Sequence, residues 1–199
     1  MVEEIYKNVK AIRQKAISKK IPVIADSTLD FIIKYLNKKN VTTILEIGTG
    51  IGFSTIMFAL ARPDARIISI EKDQKRYMEA LKNIKKLKLE DRISLIYNDA
   101  MDMKFTEKFD LIFIDAQKSK AKELFDLYEK NLENHGTIIT NDISFHGLVK
   151  KDPKAIKDKK IQAIVTNIKE YINYLENNLK YKTSFYEVGD GISLSEKRL

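Results

Sequence analysis

Three glycines at alternate positions, Gly48, Gly50 and Gly52, lie in the apolar stretch LEIGTGIGFST, with the carboxylate Glu46 two residues ahead of them. This spacing lets the backbone turn sharply and brings a ligand close to the chain. A dinucleotide fingerprint would need its third glycine at position 53, where the chain has Phe53. A pyrophosphate also wants free N–H groups and no nearby carboxylate, whereas Glu46 attracts an ammonium group. Further on come Glu71, Asp99, Asp115 and the pair Asn141-Asp142, an oxygen-rich set without sulfur or imidazole. Glu71 suits two ribose hydroxyls and Asp99 an adenine amine. Asp115, Asn141 and Asp142 suit an octahedral Mg²⁺ at about 2.1 Å. The competing readings are a tight turn with ordinary capping acids, a dinucleotide site, and an Asn-Asp pair that merely ends a strand.

These residues need elements to hold them. Ile5, Val9, Ile12 and Ala16 recur at helical spacing until Ile21-Pro22 interrupts the pattern. A second helix carries Leu29, Ile32, Ile33 and Leu36, with Asp26 or Ser27 as its cap, so residues 1–40 form N-terminal helices. Strand and helix then alternate. TTILEIG is a strand, Phe53 to Ala61 a helix, ARIISIE a strand, Gln74 to Lys88 a helix, RISLIYND and FDLIFIDA strands. Lys120 to Leu132 is a helix, GTIITND a fifth strand and Lys157 to Leu179 a long helix. KTSFYEV and GISLSEK flank Gly189-Asp190-Gly191, a hairpin signal.

The pattern predicts an α/β fold, a Rossmann-like doubly wound sheet of seven strands. It is mostly parallel, with an antiparallel C-terminal hairpin. Continuous apolar strands imply burial on both faces. In such sheets ligands gather at the carboxyl ends of the strands, where every singled-out acid falls. The 199 residues read as one domain, 1–199, without linker or repeat.

Hydrophobic residues at 44% and charged residues at 32% describe a globular chain. With zero cysteines, disulfides and thiolate metal sites are excluded. No apolar run suits a membrane span and the charged N-terminus has no apolar signal core, so a cytoplasmic location is expected. The net charge of +8 favours polyanionic partners, and Lys150, Lys151, Lys154, Lys157, Lys159 and Lys160 could meet an RNA backbone or simply form a wet surface.

A ligand that wants acids and ribose contacts but no phosphate cradle is S-adenosylmethionine. At this point LEIGTGIGFST, IEKD, YNDA, FDLIFIDAQK and GTIITNDI resemble the motifs of the metal-dependent O-methyltransferases of the catechol and caffeoyl-coenzyme A type. KKIPVIADSTLDFI, SFHGLV and YKTSFYEVGDGISLSEKR are similar to the bacterial tRNA 5-hydroxyuridine methyltransferases within that family. The resemblance implies that Glu46, Gly48 and Ser54 hold the methionine part of the cofactor. Glu71 would take the ribose, Asp99 and Ala100 the adenine, and Ile24 a backbone contact. Asp115 would serve cofactor and metal together. Lys118 stands at the place of the catalytic lysine, and a neighbouring cation would lower its pKa and make it a base; in a lysine-rich chain it could equally be a solvated surface residue.

Three departures stand out. The family order Asp-Asn is Asn141-Asp142 here, a common tyrosine is Ala121, and Gln117 replaces an acid or small residue. His135 is expected in a solvated turn before the fifth strand, and His146 in a loop where substrate could pass. The leading expectation is methylation of 5-hydroxyuridine in a tRNA anticodon to 5-methoxyuridine, using S-adenosylmethionine and Mg²⁺. The alternatives are a catechol or phenol O-methyltransferase and a non-catalytic RNA-binding module. The resemblance also implies a homodimer, with the N-terminal helices as a contact.

Overall fold

The structure, a computed structural model, describes residues 2–198. Its strands are β1 (Thr43–Ile47), β2 (Arg66–Glu71), β3 (Ile93–Tyr97), β4 (Phe109–Ile114), β5 (Leu132–Asn141), β6 (Tyr181–Tyr186) and β7 (Ile192–Lys197). They form the expected mixed sheet of seven strands, in the order β3-β2-β1-β4-β5-β7-β6. The pairs β1–β2, β2–β3 and β4–β5 are parallel, and β7 runs antiparallel to both β5 and β6. The chain divides into two compact units, Met1–Met103 and Lys104–Leu199.

In the first unit, α1 (Val2–Ser18) buries Ile12 and Ala16, and α2 (Asp26–Lys39) buries Leu29, Ile32 and Leu36, the apolar stripe its spacing predicts. The expected cap moves by one residue: Ala25 is the N-cap, without a side-chain bond. Asp26 lies instead in the first turn, where its charge faces the positive helix end, and it pairs with Arg13 at 2.7 Å. The helix α3 (Phe53–Ala61) takes the predicted span, and α4 (Gln74–Lys86) starts at Asp73, whose carboxylate accepts from Arg76 N. Helix α4 stops short of Lys88 because that residue turns left-handed at φ 54° and the Leu89 N–H returns to Ile84 O at 3.2 Å. Strand β3 departs from two-sided burial. It ends the strand order, and Ser94 and Tyr97 are exposed.

The second unit corrects two boundaries. The helix expected over 120–132 is α5 (Ala121–Tyr128), preceded and followed by 3-10 turns, and Leu132 already begins β5. The register explains this: Phe109 pairs with Leu132, yet Leu111 pairs with Thr137, so residues 133–136 bulge out opposite Asp110. Only glycine fits at position 136, since a Cβ there would stand 2.8 Å from Leu132 Cγ and 3.0 Å from Phe109 O. His135 rides this bulge as an exposed strand residue, not in a turn before the strand. Helix α6 (Lys159–Glu176) starts two residues later than its periodicity suggests, because Asp158 accepts from Lys160 N at 2.8 Å and Ile161 N at 3.2 Å.

Tyr171 on α6 packs against Phe125 on α5, and its hydroxyl shares a 2.7 Å hydrogen bond with Thr140 Oγ1 on β5. Burial pushes the Tyr171 pKa far upward, so the phenol stays neutral. No helix among the described residues is long and apolar enough to cross a membrane. The Tyr171→Phe variant leaves Thr140 without this buried partner and is expected to lose about 1–3 kcal/mol in urea denaturation. An unchanged midpoint with an unchanged slope would show that the hydroxyl pair contributes nothing.

Candidate active site

The glycine turn grows out of β1. Gly48, Gly50 and Gly52 have φ of 99°, 58° and 83°, a left-handed series that residues with a Cβ resist. Glu46 is fully buried, and its carboxylate accepts from the hydroxyls of Ser54 and Ser69, each at 2.6 Å, and from Thr55. Ser69 lies beside Glu46 in the β1–β2 register and also meets Thr49 Oγ1 at 2.6 Å. Glu46 thus ties the start of α3 to β2. Glu71, at the end of β2, reaches the same turn: its Oε2 accepts from Gly50 N at 2.7 Å and its Oε1 from Asp73 N at 2.9 Å.

The remaining nucleoside-type positions also belong to the first unit. Asp99 follows β3 and caps a 3-10 turn by accepting from Met101 N at 3.0 Å, and Lys72 stands 3.3 Å from its other oxygen. Ala100 is buried as the first residue of that turn. Ile24 is buried in the segment ahead of α2.

The second unit gathers the other set. Asp115 follows β4, Asn141 ends β5, Asp142 comes next, and Lys118 begins the 3-10 turn before α5. Lys118 Nζ lies 2.7 Å from Asp142 Oδ2 and 3.4 Å from Asp115 Oδ1, and Asn141 Nδ2 donates to Asp115 Oδ1 at 3.2 Å. About a fifth of the Asp115 and Lys118 side chains is accessible, 20% and 21%. Burial raises the Asp115 pKa, assisted by the negative charge of Asp142 and opposed by Lys118 and Asn141. Burial alone would lower Lys118, but the two carboxylates outweigh it and raise that pKa above its ordinary value. The downward direction expected from a neighbouring cation is therefore not the one these side chains produce by themselves.

The donor set suits a hard divalent cation. Asn141 is 3% exposed, and its Oδ1 is buried without a hydrogen-bond partner among the described residues. An unpartnered oxygen on a residue that touches Asp115 fits a cation that takes oxygen ligands. Asp142 adopts φ 58°, a left-handed conformation that Asp tolerates.

Sequence reasoning missed several contributors, Thr49, Thr55 and Lys72 among them. Ser69 was detectable as the one hydroxyl inside the apolar run ARIISIE. Asp190 reads as a hairpin residue, yet its Oδ1 accepts from His146 N at 2.6 Å and its Oδ2 lies 3.3 Å from His146 Nδ1. It holds the loop after β5, where Phe145 and His146 are both left-handed, at φ 46° and 55°; no sequence pattern announces that contact. The His146 side chain is exposed.

The fold is shared with solved methyltransferases. A Staphylococcus aureus protein, provisionally named a caffeoyl-CoA O-methyltransferase, superposes with a TM-score of 0.91 at 29% identity, covering 96% of this chain and 92% of that one. A Bacillus cereus O-methyltransferase solved in complex with SAH has the same fold, with a TM-score of 0.83 at 22% identity, over 96% and 91% of the two chains. In sequence, a caffeoyl-CoA O-methyltransferase of Populus kitakamiensis is 28% identical over 185 residues, 89% of this chain and 77% of that protein. The O-methyltransferase family model matches residues 2–198, and the chain belongs to that family. Membership favours an enzyme over a non-catalytic RNA-binding module.

The raised Lys118 pKa has a consequence for stability. Stabilisation from its charge is complete below the ordinary lysine pKa of about 10.4 and is lost as the pH rises through the raised value. The raised Asp115 works at the acid end, where stability is fullest below the ordinary carboxylate pKa and falls as the pH climbs through the raised one. In chelator, Lys118→Met is therefore expected to melt below the wild type at neutral pH, with the gap closing as the pH rises through the raised lysine pKa. A gap that stays constant in thermal melts across that range would overturn this.

Proposed function

We propose that the chain is an S-adenosylmethionine-dependent O-methyltransferase for phenolic acceptors of the catechol class, working with a divalent cation. The observation that carries this reading is the set formed by Asp115, Asn141 and Asp142, with Lys118 reaching into it. The names of the relatives, caffeoyl-CoA O-methyltransferases, support an acceptor with two adjacent oxygens. The SAH in the Bacillus cereus structure supports the methyl donor.

In this reading the first unit serves the donor. The glycine turn gives close backbone approach, Glu71 and Asp99 offer acceptors to ribose and adenine, and Glu46 with Ser54 fixes the start of α3. The second unit serves the acceptor. Asp115, Asn141 Oδ1 and Asp142 would hold the cation, which when bound supplies positive charge that fixes the acceptor and lowers its pKa. Methyl transfer needs a deprotonated oxygen; a cation held by Asp115 and Asp142 would lower the Lys118 pKa, and the neutral Nζ would then accept that proton and become the ammonium.

A second reading, methylation of 5-hydroxyuridine in tRNA, is supported by the net charge of +8 and by the motifs that resemble that branch. Lys151, Lys154, Lys157, Lys159 and Lys160 are all exposed around the start of α6, where they suit a phosphate backbone. Lys150 is paired with Glu187 at 2.9 Å. The proposal includes a homodimer, supported by the exposed Tyr6 and Ile17 on α1.

Incubation with S-adenosylmethionine, Mg²⁺ and a catechol should yield the mono-O-methylated product. Turnover should barely change between about 50 and 200 mM salt. Lys118→Ala should lower kcat by about 10²–10⁴-fold. Methylation of hypomodified tRNA, steeply weakened by salt and unaccompanied by catechol turnover, would replace the phenolic reading with the tRNA one.

A further inference from the structure

The Lys118 ammonium lies within ion-pair distance of both carboxylates assigned to the cation, 2.7 Å from Asp142 and 3.4 Å from Asp115. Its side chain is four-fifths covered, so water screens these contacts little. A +1 group and a divalent cation cannot share the same carboxylate oxygens at these distances without strong repulsion. Asp115 Oδ1 is additionally engaged by Asn141 Nδ2 at 3.2 Å, while Asn141 Oδ1 lacks a partner among the described residues. Cation entry would therefore exchange one set of contacts for another, with the ammonium leaving Asp142 and the neutral amide offering its oxygen.

We propose that Lys118 is an internal counter-cation of the Asp115–Asp142 pair, which a divalent cation must displace to bind. This rests on the cation reading above and adds a device to it. The lysine keeps two neighbouring carboxylates together before the metal arrives and sets the metal affinity by competing for them. It is released toward the acceptor only when the cation takes its place. Lys118 is thereby coupled to metal loading by electrostatics alone, without any hinge or lid.

The test is Mn²⁺ binding, followed by electron paramagnetic resonance on chelator-stripped full-length protein without methyl donor or acceptor. The panel is the wild type, Lys118→Met, Lys118→Gln, Lys118→Arg and Asp115→Asn, each checked for its fold by circular dichroism. Competition predicts that Met and Gln tighten Mn²⁺ binding by about tenfold or more, the range of a typical coupling between two sites. Arg, which keeps the charge, should stay near the wild type, and Asp115→Asn should lose binding. Equal or weaker binding by folded Met and Gln variants, with the wild type binding and Asp115→Asn not, overturns the competition and leaves the cation site standing. Absence of Mn²⁺ binding throughout the panel overturns both.

Discussion

An ionised carboxylate at the end of a buried apolar strand is tolerable only when fixed donors replace its water. Three of this chain's strands end that way. An unpaired buried charge costs several kcal/mol, whereas hydrogen bonds to charged groups contribute about 1.5–3 kcal/mol each, so two or three donors decide whether such a residue can exist. Glu46 has three hydroxyls, from Ser54, Thr55 and Ser69. Glu71 has two backbone N–H groups, from Gly50 and Asp73. Asp115 has an amide and an ammonium, from Asn141 and Lys118. Each donor set draws on a neighbouring element, the start of α3 and β2 for Glu46, the glycine turn and Asp73 for Glu71, the end of β5 and the 3-10 turn before α5 for Asp115.

The three solutions leave different amounts of chemistry available. Glu46 is enclosed, and what it brings to a ligand passes through the α3 start that it anchors. Glu71 holds the glycine turn from the other side, with an acceptor group close to where the backbone lies bare. Asp115 answers its charge with another titratable group; burial raises the pKa of the carboxylate, and against burial the two carboxylates raise that of the lysine. Proton handling belongs where charges are mutually dependent, which favours the Asp115–Lys118 neighbourhood over the glycine turn as the chemical centre.

The order of strands and helices was legible because hydrophobic period and glycine punctuation act locally. Phe53 to Ala61 is bounded by Gly52 and Pro63, and its span needed no tertiary knowledge. The start of β5 was not legible, because it depends on a bulge set by how Leu132 and Gly136 pack against Phe109, a non-local contact. The cap of α2 moved for a similar reason, since Asp26 finds a partner in Arg13 of a different helix. In the site, residue types and strand-end positions pointed to the acids. The partners of those acids, Ser69 for Glu46 and Lys118 for Asp142, come from register and loop geometry that a linear pattern does not carry.

The inverted pair Asn141-Asp142 follows from the same constraint. A regular strand would send the two side chains to opposite faces, but the left-handed φ of 58° at Asp142 turns its carboxylate toward Lys118, so both residues enter one cluster. The two places differ in burial: Asn141 is 3% exposed, whereas the Asp142 side chain is 35% exposed. A carboxylate in the deeper place would stand beside Asp115, which burial and Asp142 already push upward, and would add like-charge repulsion where solvent is scarcest. With Asn inside and Asp outside, the oxygen count is kept, the neutral group occupies the costly position, and the second charge sits where Lys118 can reach it. Desolvation thus favours this order of the pair, and the oxygens that the proposed cation would use are kept.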